Sequence, residues 1–151
     1  MGVKQGGFLI TKIHHLSGRI FSRKLKEYEI EISPGQGRIL FSLWQQDKVP
    51  IKSLVKNTQL GKSTLTEMLD RLEKDGLLIR RSSKDDRREI LIELTEKAKK
   101  THERYDAVSK EMSNLFYRGF SEREIEELEK YLDRLLENLV EYDTRQASNP
   151  F

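Results

Sequence analysis

Several groups of side chains in this 151-residue chain are of a type that does chemistry. Gly61-Lys62-Ser63-Thr64 ends like a phosphate-cradling loop. That loop needs a glycine five positions before Gly61 and a preceding strand. Lys56 stands at that position and no strand pattern precedes it, so nucleotide hydrolysis is set aside. His14 and His15 are adjacent and His102 is remote. Neighbouring residues on a helix point to different faces, so this set makes no metal site, and no cofactor is expected. The acids between Glu122 and Asp143 lie on amphipathic faces where solvation accounts for them. No Ser-His-Asp or paired-carboxylate constellation stands out, and the chain does not read as an enzyme. There is no cysteine, which excludes disulfides, thiolate metal sites and a thiol redox sensor, and fits a reducing cytoplasm.

What remains is a basic segment. Arg80, Arg81, Lys84, Arg87 and Arg88 separate the apolar runs Leu77–Ile79 and Ile90–Leu94, directly after a helical pattern. A hairpin tip carrying Lys84, Arg87 and Arg88 suits the narrow minor groove of DNA, whose negative potential favours guanidinium groups. The preceding helix suits the major groove, where base edges are met by residues near a helix N-terminus: here Lys62, Ser63, Thr64, Thr66 and Glu67, with Arg71 placed for a phosphate. Asp85 and Asp86 are repelled by phosphates. Asp86, two residues before Arg88, can instead hold that guanidinium or cap the turn, and so aim it. The net charge of +3 is modest, but bases concentrate from Ile79 to Lys100 and acids from Glu122 to Asp143.

The elements that must position these groups are legible from periodicity and caps. Apolar residues from Leu9 to Tyr28 recur at three- and four-residue steps, which predicts one long amphipathic helix after a loose Met1–Gly7. Ser33-Pro34-Gly35-Gln36 reads as a capping box with proline at the first helical position. Ile39, Leu40, Leu43 and Trp44 form the stripe of that helix, and Asp47–Pro50 breaks it. A short helix around Leu54 and a third from about Lys62 to Asp75 follow, the latter with Leu65, Met68, Leu69 and Leu72 at helical spacing, Thr64 and Glu67 spaced for a further capping box and Gly76 as its stop. Helix, strand, basic loop, strand is a winged helix-turn-helix pattern. After Thr95 come two more helices, the second opened by Ser121–Glu124, with residues from Thr144 onward frayed. No run of ~18 apolar residues is present to span a membrane, and no secretory signal is read at the N-terminus.

The fold expected is mainly α with a small β-hairpin wing. Residues 1–32 form an N-terminal dimerisation helix, 33–95 the winged helix-turn-helix DNA-binding domain and 96–151 the C-terminal dimerisation helices. A compact middle of this size covers only part of the apolar faces at the two ends, so a homodimer is expected in preference to a monomeric bundle in which the end helices pack on each other. The competing reading is a helical dimeric interaction module whose winged domain binds a protein.

Asp86–Lys97, Asp-Arg-Arg-Glu-Ile-Leu-Ile-Glu-Leu-Thr-Glu-Lys, resembles the wing signature of the multiple-antibiotic-resistance repressor (MarR) family, an Asp-x-Arg followed by a strand ending in Leu-Thr. Ser63–Thr66, Leu69–Leu77 and the Ser-Pro-x-Gln start at Ser33 resemble the same family, so the likeness runs through essentially the whole chain. Ala98 stands where many members have glycine. The resemblance implies a homodimeric regulator on a pseudo-palindromic double-stranded operator, often a repressor, with Asp86 and Arg88 as the wing pair and Arg88 in the minor groove. It also implies release by a small aromatic or phenolic effector, in a pocket near His15, Arg19, Phe41 and Trp44.

Overall fold

The computed structural model describes residues 2–148. Helix α1 spans Gly6–Glu27, α2 Pro34–Gln45, α3 Ile51–Thr58, α4 Lys62–Lys74, α5 Glu96–Phe116 and α6 Glu122–Ser148. Strands are β1 (Val49–Pro50), β2 (Leu78–Ser82) and β3 (Ile90–Leu94). The chain divides into two compact units between Glu111 and Met112, within α5.

In the first unit, α2, α3 and α4 enclose a core with the sheet, built from Ile39, Leu40, Leu43, Leu54, Leu65, Leu69, Leu72, Leu78 and Ile92. The capping box at α2 is formed: Ser33 Oγ accepts from the Gln36 amide at 3.2 Å and Gln36 Oε1 accepts from the Ser33 amide at 3.0 Å. Gly76 ends α4 at φ +77°. The Leu77 amide reaches back to Leu72 O at 2.9 Å, the six-to-one bond that closes a left-handed helix exit.

The expected capping box at Thr64 and Glu67 is not there. Gly61 occupies the cap, and no side chain caps the first-turn amides of α4. The helix begins earlier than that spacing supposed, which puts Thr64 on its third position and leaves both side chains uncommitted. Two expected loose segments are also shorter. Gly6 and Gly7 already belong to α1, and α6 continues through Thr144 to Ser148. The rest of the expected frayed end, residues 149–151, lies outside the described residues, as does Met1.

The sheet has three strands in the order β1-β3-β2, all antiparallel. The third strand, β1, falls where only a helix break was expected. Its two residues pair with Ile92 and Leu91 at the sheet edge, where a proline's missing N–H can face away from the ladder. Asp47 extends this tie, Oδ1 accepting from the Leu94 amide at 2.9 Å. The hairpin therefore leans on the helices through a strand as well as through its apolar face.

Helices α1 and α5 meet α2 around an aromatic group. Leu25, Ile30, Tyr105 and Val108 are buried, with Phe21 and Trp44 packed against them. Glu111 joins α5 to α1, accepting from the Tyr28 hydroxyl at 2.5 Å and pairing with Lys24 at 3.1 Å. The Tyr28 hydrogen bond, then Lys24, holds the Glu111 carboxyl below its usual range. Gly37 lets α2 approach α5 closely, since a Cβ there would lie 2.5 Å from the Tyr105 hydroxyl and 2.9 Å from its ring.

The second unit contains the end of α5 and α6. Ser121 Oγ and Glu124 Oε1 exchange the reciprocal bonds of a capping box at 3.1 and 2.9 Å. No described residue of α6 is buried. Leu135, Leu136, Leu139 and Tyr142 are 47–68% exposed, as is the start of α1, where Phe8 is 63% and Leu16 49% exposed.

Gly37→Ala should destabilise the chain by about 1–3 kcal/mol, the usual cost of overpacking. Urea unfolding at fixed protein concentration measures it; an unchanged midpoint would show that α2 and α5 can part without cost.

Candidate nucleic-acid interface

One stripe of α4 is buried, at Leu65, Leu69 and Leu72. At ~100° per residue, Ser63 and Glu67 lie on the opposite side of the helix. Thr64 and Arg71 share one flank, and Lys62 and Thr66 the other. All six are exposed, so every residue expected to meet DNA from this helix is displayed to solvent. The Thr66 hydroxyl donates to Lys62 O at 2.9 Å, which spends its proton and leaves it able only to accept.

The wing is the 83–89 loop between β2 and β3. It is closed by the Ser83 amide on Glu89 O at 2.8 Å and by the Glu89 amide on Asp86 O at 3.0 Å. Asp86 Oδ1 accepts from the Arg88 amide at 3.0 Å. Of the two roles open to Asp86 in the sequence, the structure shows the turn cap: the carboxylate fixes the backbone on which Arg88 stands. Lys84, Arg87 and Arg88 are exposed. None of their three side chains carries a hydrogen bond or ion pair among the described residues, so all three charged groups are free for an anion.

Arg80 and Arg81, grouped with the loop on sequence, belong to β2 and are already paired. Arg80 Nη2 bonds Asp70 at 2.8 Å and Arg80 Nη1 bonds Glu73 at 2.9 Å, both acids on α4. Arg81 Nε meets Glu93 of β3 at 2.7 Å. The Arg80 bridge was missed in the sequence, although Asp70 and Glu73, three apart on one helix flank, mark a place where a cation can dock. Its acids are 65% and 41% exposed, so it adds little stability. Its effect is geometric, because a forked guanidinium with two acceptors fixes the wing strand against the reading helix.

The residues expected to line an effector pocket are dispersed among different surroundings. His15 and Arg19 are exposed on α1, and Phe41 is 48% exposed on α2. Trp44 is half-buried, its ring stacked on His102 at 4.6 Å and 12° and tilted against Tyr105 at 4.9 Å. Its indole N–H donates to Ala98 O at 3.2 Å. His102 and Tyr105 were not expected beside it. They lie three apart on α5, the spacing that puts two side chains on one face. Burial raises the Tyr105 hydroxyl to about 12, so it stays protonated.

Comparison with known proteins agrees with this geometry. The MarR family model matches residues 32–90, from the cap of α2 through the wing. The SarZ transcriptional regulator of Staphylococcus saprophyticus is 30% identical over 106 residues, 69% of this chain and 73% of that one. The chain belongs to the MarR family. It is a DNA-binding transcriptional regulator, of a family that is not one of enzymes. A Bacillus subtilis organic hydroperoxide resistance regulator is 37% identical over 68 residues, 45% of this chain, and the match spans only 46% of that relative. An organohalide-sensing regulator solved with 2,4-dichlorophenol bound has the same fold, with TM-score 0.76 and 24% identity over 90% of this chain and 82% of that one. No helix among the described residues is long and apolar enough to cross a membrane.

Arg80→Ala should change global stability by less than about 1 kcal/mol, yet speed amide hydrogen exchange in the 83–89 loop. Unchanged exchange there would mean that the hairpin ladder alone holds the wing.

Proposed function

We propose that this MarR-family chain is a homodimeric repressor acting in the cytoplasm on a pseudo-palindromic operator. Residues 33–95 form the DNA-binding domain, and residues 1–32 and 96–151 join the two copies. In each copy α4 enters the major groove with Lys62, Ser63, Thr64, Thr66 and Glu67 toward base edges and Arg71 toward a phosphate. The wing enters the minor groove with Lys84, Arg87 and Arg88, while Asp86 holds the turn. The observation that carries this reading is the pairing of a displayed helix N-terminus with a wing of unpaired cations, tied together by Arg80.

Two copies are favoured by the apolar residues that one copy leaves exposed on α1 and α6. Covering side chains of this size stabilises by about 1.5–3 kcal/mol each when burial is complete. Two copies also double the phosphate contacts, which matters because few free cations face DNA in one. The full-length protein should sediment as a pair of chains, and its affinity for operator duplex should fall steeply with salt. Arg88→Ala should weaken binding to all sequences and reduce the magnitude of the log–log salt slope by about 2, one phosphate-scale contact per copy. Binding insensitive to salt, or binding to a protein with none to duplex DNA, would replace this reading with the interaction module.

The effector is read as a small aromatic or phenolic molecule. The structurally similar regulator that binds 2,4-dichlorophenol supports that class, and the Trp44–His102 stack provides an aromatic surface of matching chemistry. His15, Arg19 and Phe41 complete the proposed pocket in the dimer. An effector of this class should quench Trp44 emission and lower operator affinity over the same concentration range. Chlorophenols and salicylate that do neither would remove this part of the proposal.

A further inference from the structure

The reading face of α4 has an unusual chemical balance. In its first two turns the most outward residues, opposite the buried leucines, are Ser63 and Glu67, and Lys74 shares that side only at the far end of the helix. The other acids of the helix flank, Asp70 and Glu73, are consumed by Arg80. The Glu67 carboxylate has no hydrogen bond or ion pair among the described residues, although Arg71 lies one turn further along the helix. Beside it, the Thr66 hydroxyl has already donated its proton to Lys62 O. A helix that faces a polyanion thus presents, one turn in from its N-terminus, two neighbouring groups that only accept hydrogen bonds.

In the major groove the bases offer few donors. Guanine presents two acceptors and thymine one acceptor with a methyl group, and all of these repel or fail to engage a carboxylate. Adenine offers its N6 amino group, but the adjacent N7 acceptor opposes the second carboxylate oxygen. Cytosine alone offers the N4 amino group with no neighbouring acceptor on its own edge.

We infer that Glu67 is a specificity-determining residue that reads a cytosine amino group at one fixed position in each operator half-site, with Thr66 available to accept from an adjacent amino group. This deepens the DNA reading above and rests on it. A free carboxylate turned toward phosphates weakens binding everywhere except where a base donor meets it, so Glu67 acts by rejecting the other bases as much as by attracting cytosine.

The test is selection from a random duplex pool by the full-length protein, its Glu67→Gln variant and its Glu67→Ala variant. Glu67 is exposed and far from the core stripe, and equal thermal unfolding of the three proteins verifies that the fold is unchanged. Wild type should select cytosine at one position in each half-site and lose roughly tenfold or more in affinity when that pair is changed. Glu67→Gln, with one donor and one acceptor, should move the preference at that position to adenine, which Gln meets through N6 and N7. Glu67→Ala should erase preference there and leave the other positions as they were.

If all three proteins select the same sequences, or if both variants simply bind every sequence more tightly, Glu67 is only a solvated charge and the inference fails while the DNA reading stands. If wild type selects no common sequence and holds no duplex, the DNA reading itself fails.

Discussion

Everything at the interface depends on which side of α4 is pressed into the core. A helix of 13 residues can bury one stripe, and Leu65, Leu69 and Leu72 are fully covered by α2, α3 and the sheet. Each buried leucine is worth about 1.5–3 kcal/mol, whereas an exposed ion pair is worth less than about 1. The leucines therefore set the rotation of the helix about its own axis, and the polar residues inherit their directions from it. A change of one residue in that register would turn the reading residues by ~100° and present a flank in their place.

The wing is positioned by weaker and more numerous ties. Its strands join the core through Leu78, Ile92 and Leu94, its inner edge is extended by β1, and Arg80 links β2 to α4. At the tip, backbone bonds, the Ser83 hydroxyl accepting from the Asp85 amide and the Asp86 carboxylate shape the turn. Packing thus thins from the helix outward, as the proposed function asks of a fixed reader in one groove and an adjustable arm in the other.

Local rules made much of this legible in the sequence. Ser33 with Gln36, Gly76 after Asp75 and Ser121 with Glu124 are short-range signals whose physics is complete within four residues, and each of these helix ends was placed correctly. Leucine periodicity gave the buried face of α4, and with it the exposed candidates. What stayed hidden depends on partners distant in the chain. A two-residue strand containing Pro50 has no pattern of its own and exists because β3 offers it an edge. Arg80 looked like one more loop cation, since only the fold brings it to Asp70 and Glu73. Trp44 could be marked as an aromatic near the top of α2, but its partner His102 lies 58 residues further on, and no local rule connects them. Thr64 and Glu67 failed in the opposite way: their spacing satisfied a local rule that the earlier start at Gly61 made irrelevant.

The Arg80 bridge also limits how much information the helix can carry. With Asp70 and Glu73 committed to the wing, the residues free to face bases lie in the first turns of α4. On the proposed reading, a helix entering a groove this way reads about three or four base pairs, and two copies read about six to eight. At two bits per pair that is roughly 12–16 bits, whereas singling out one site among ~10⁶ competitors takes roughly 20. On the proposed dimeric reading the remainder is encoded in the DNA itself, as groove width and stiffness where the two wings reach in. An operator for this protein is thus defined by shape as well as by letters.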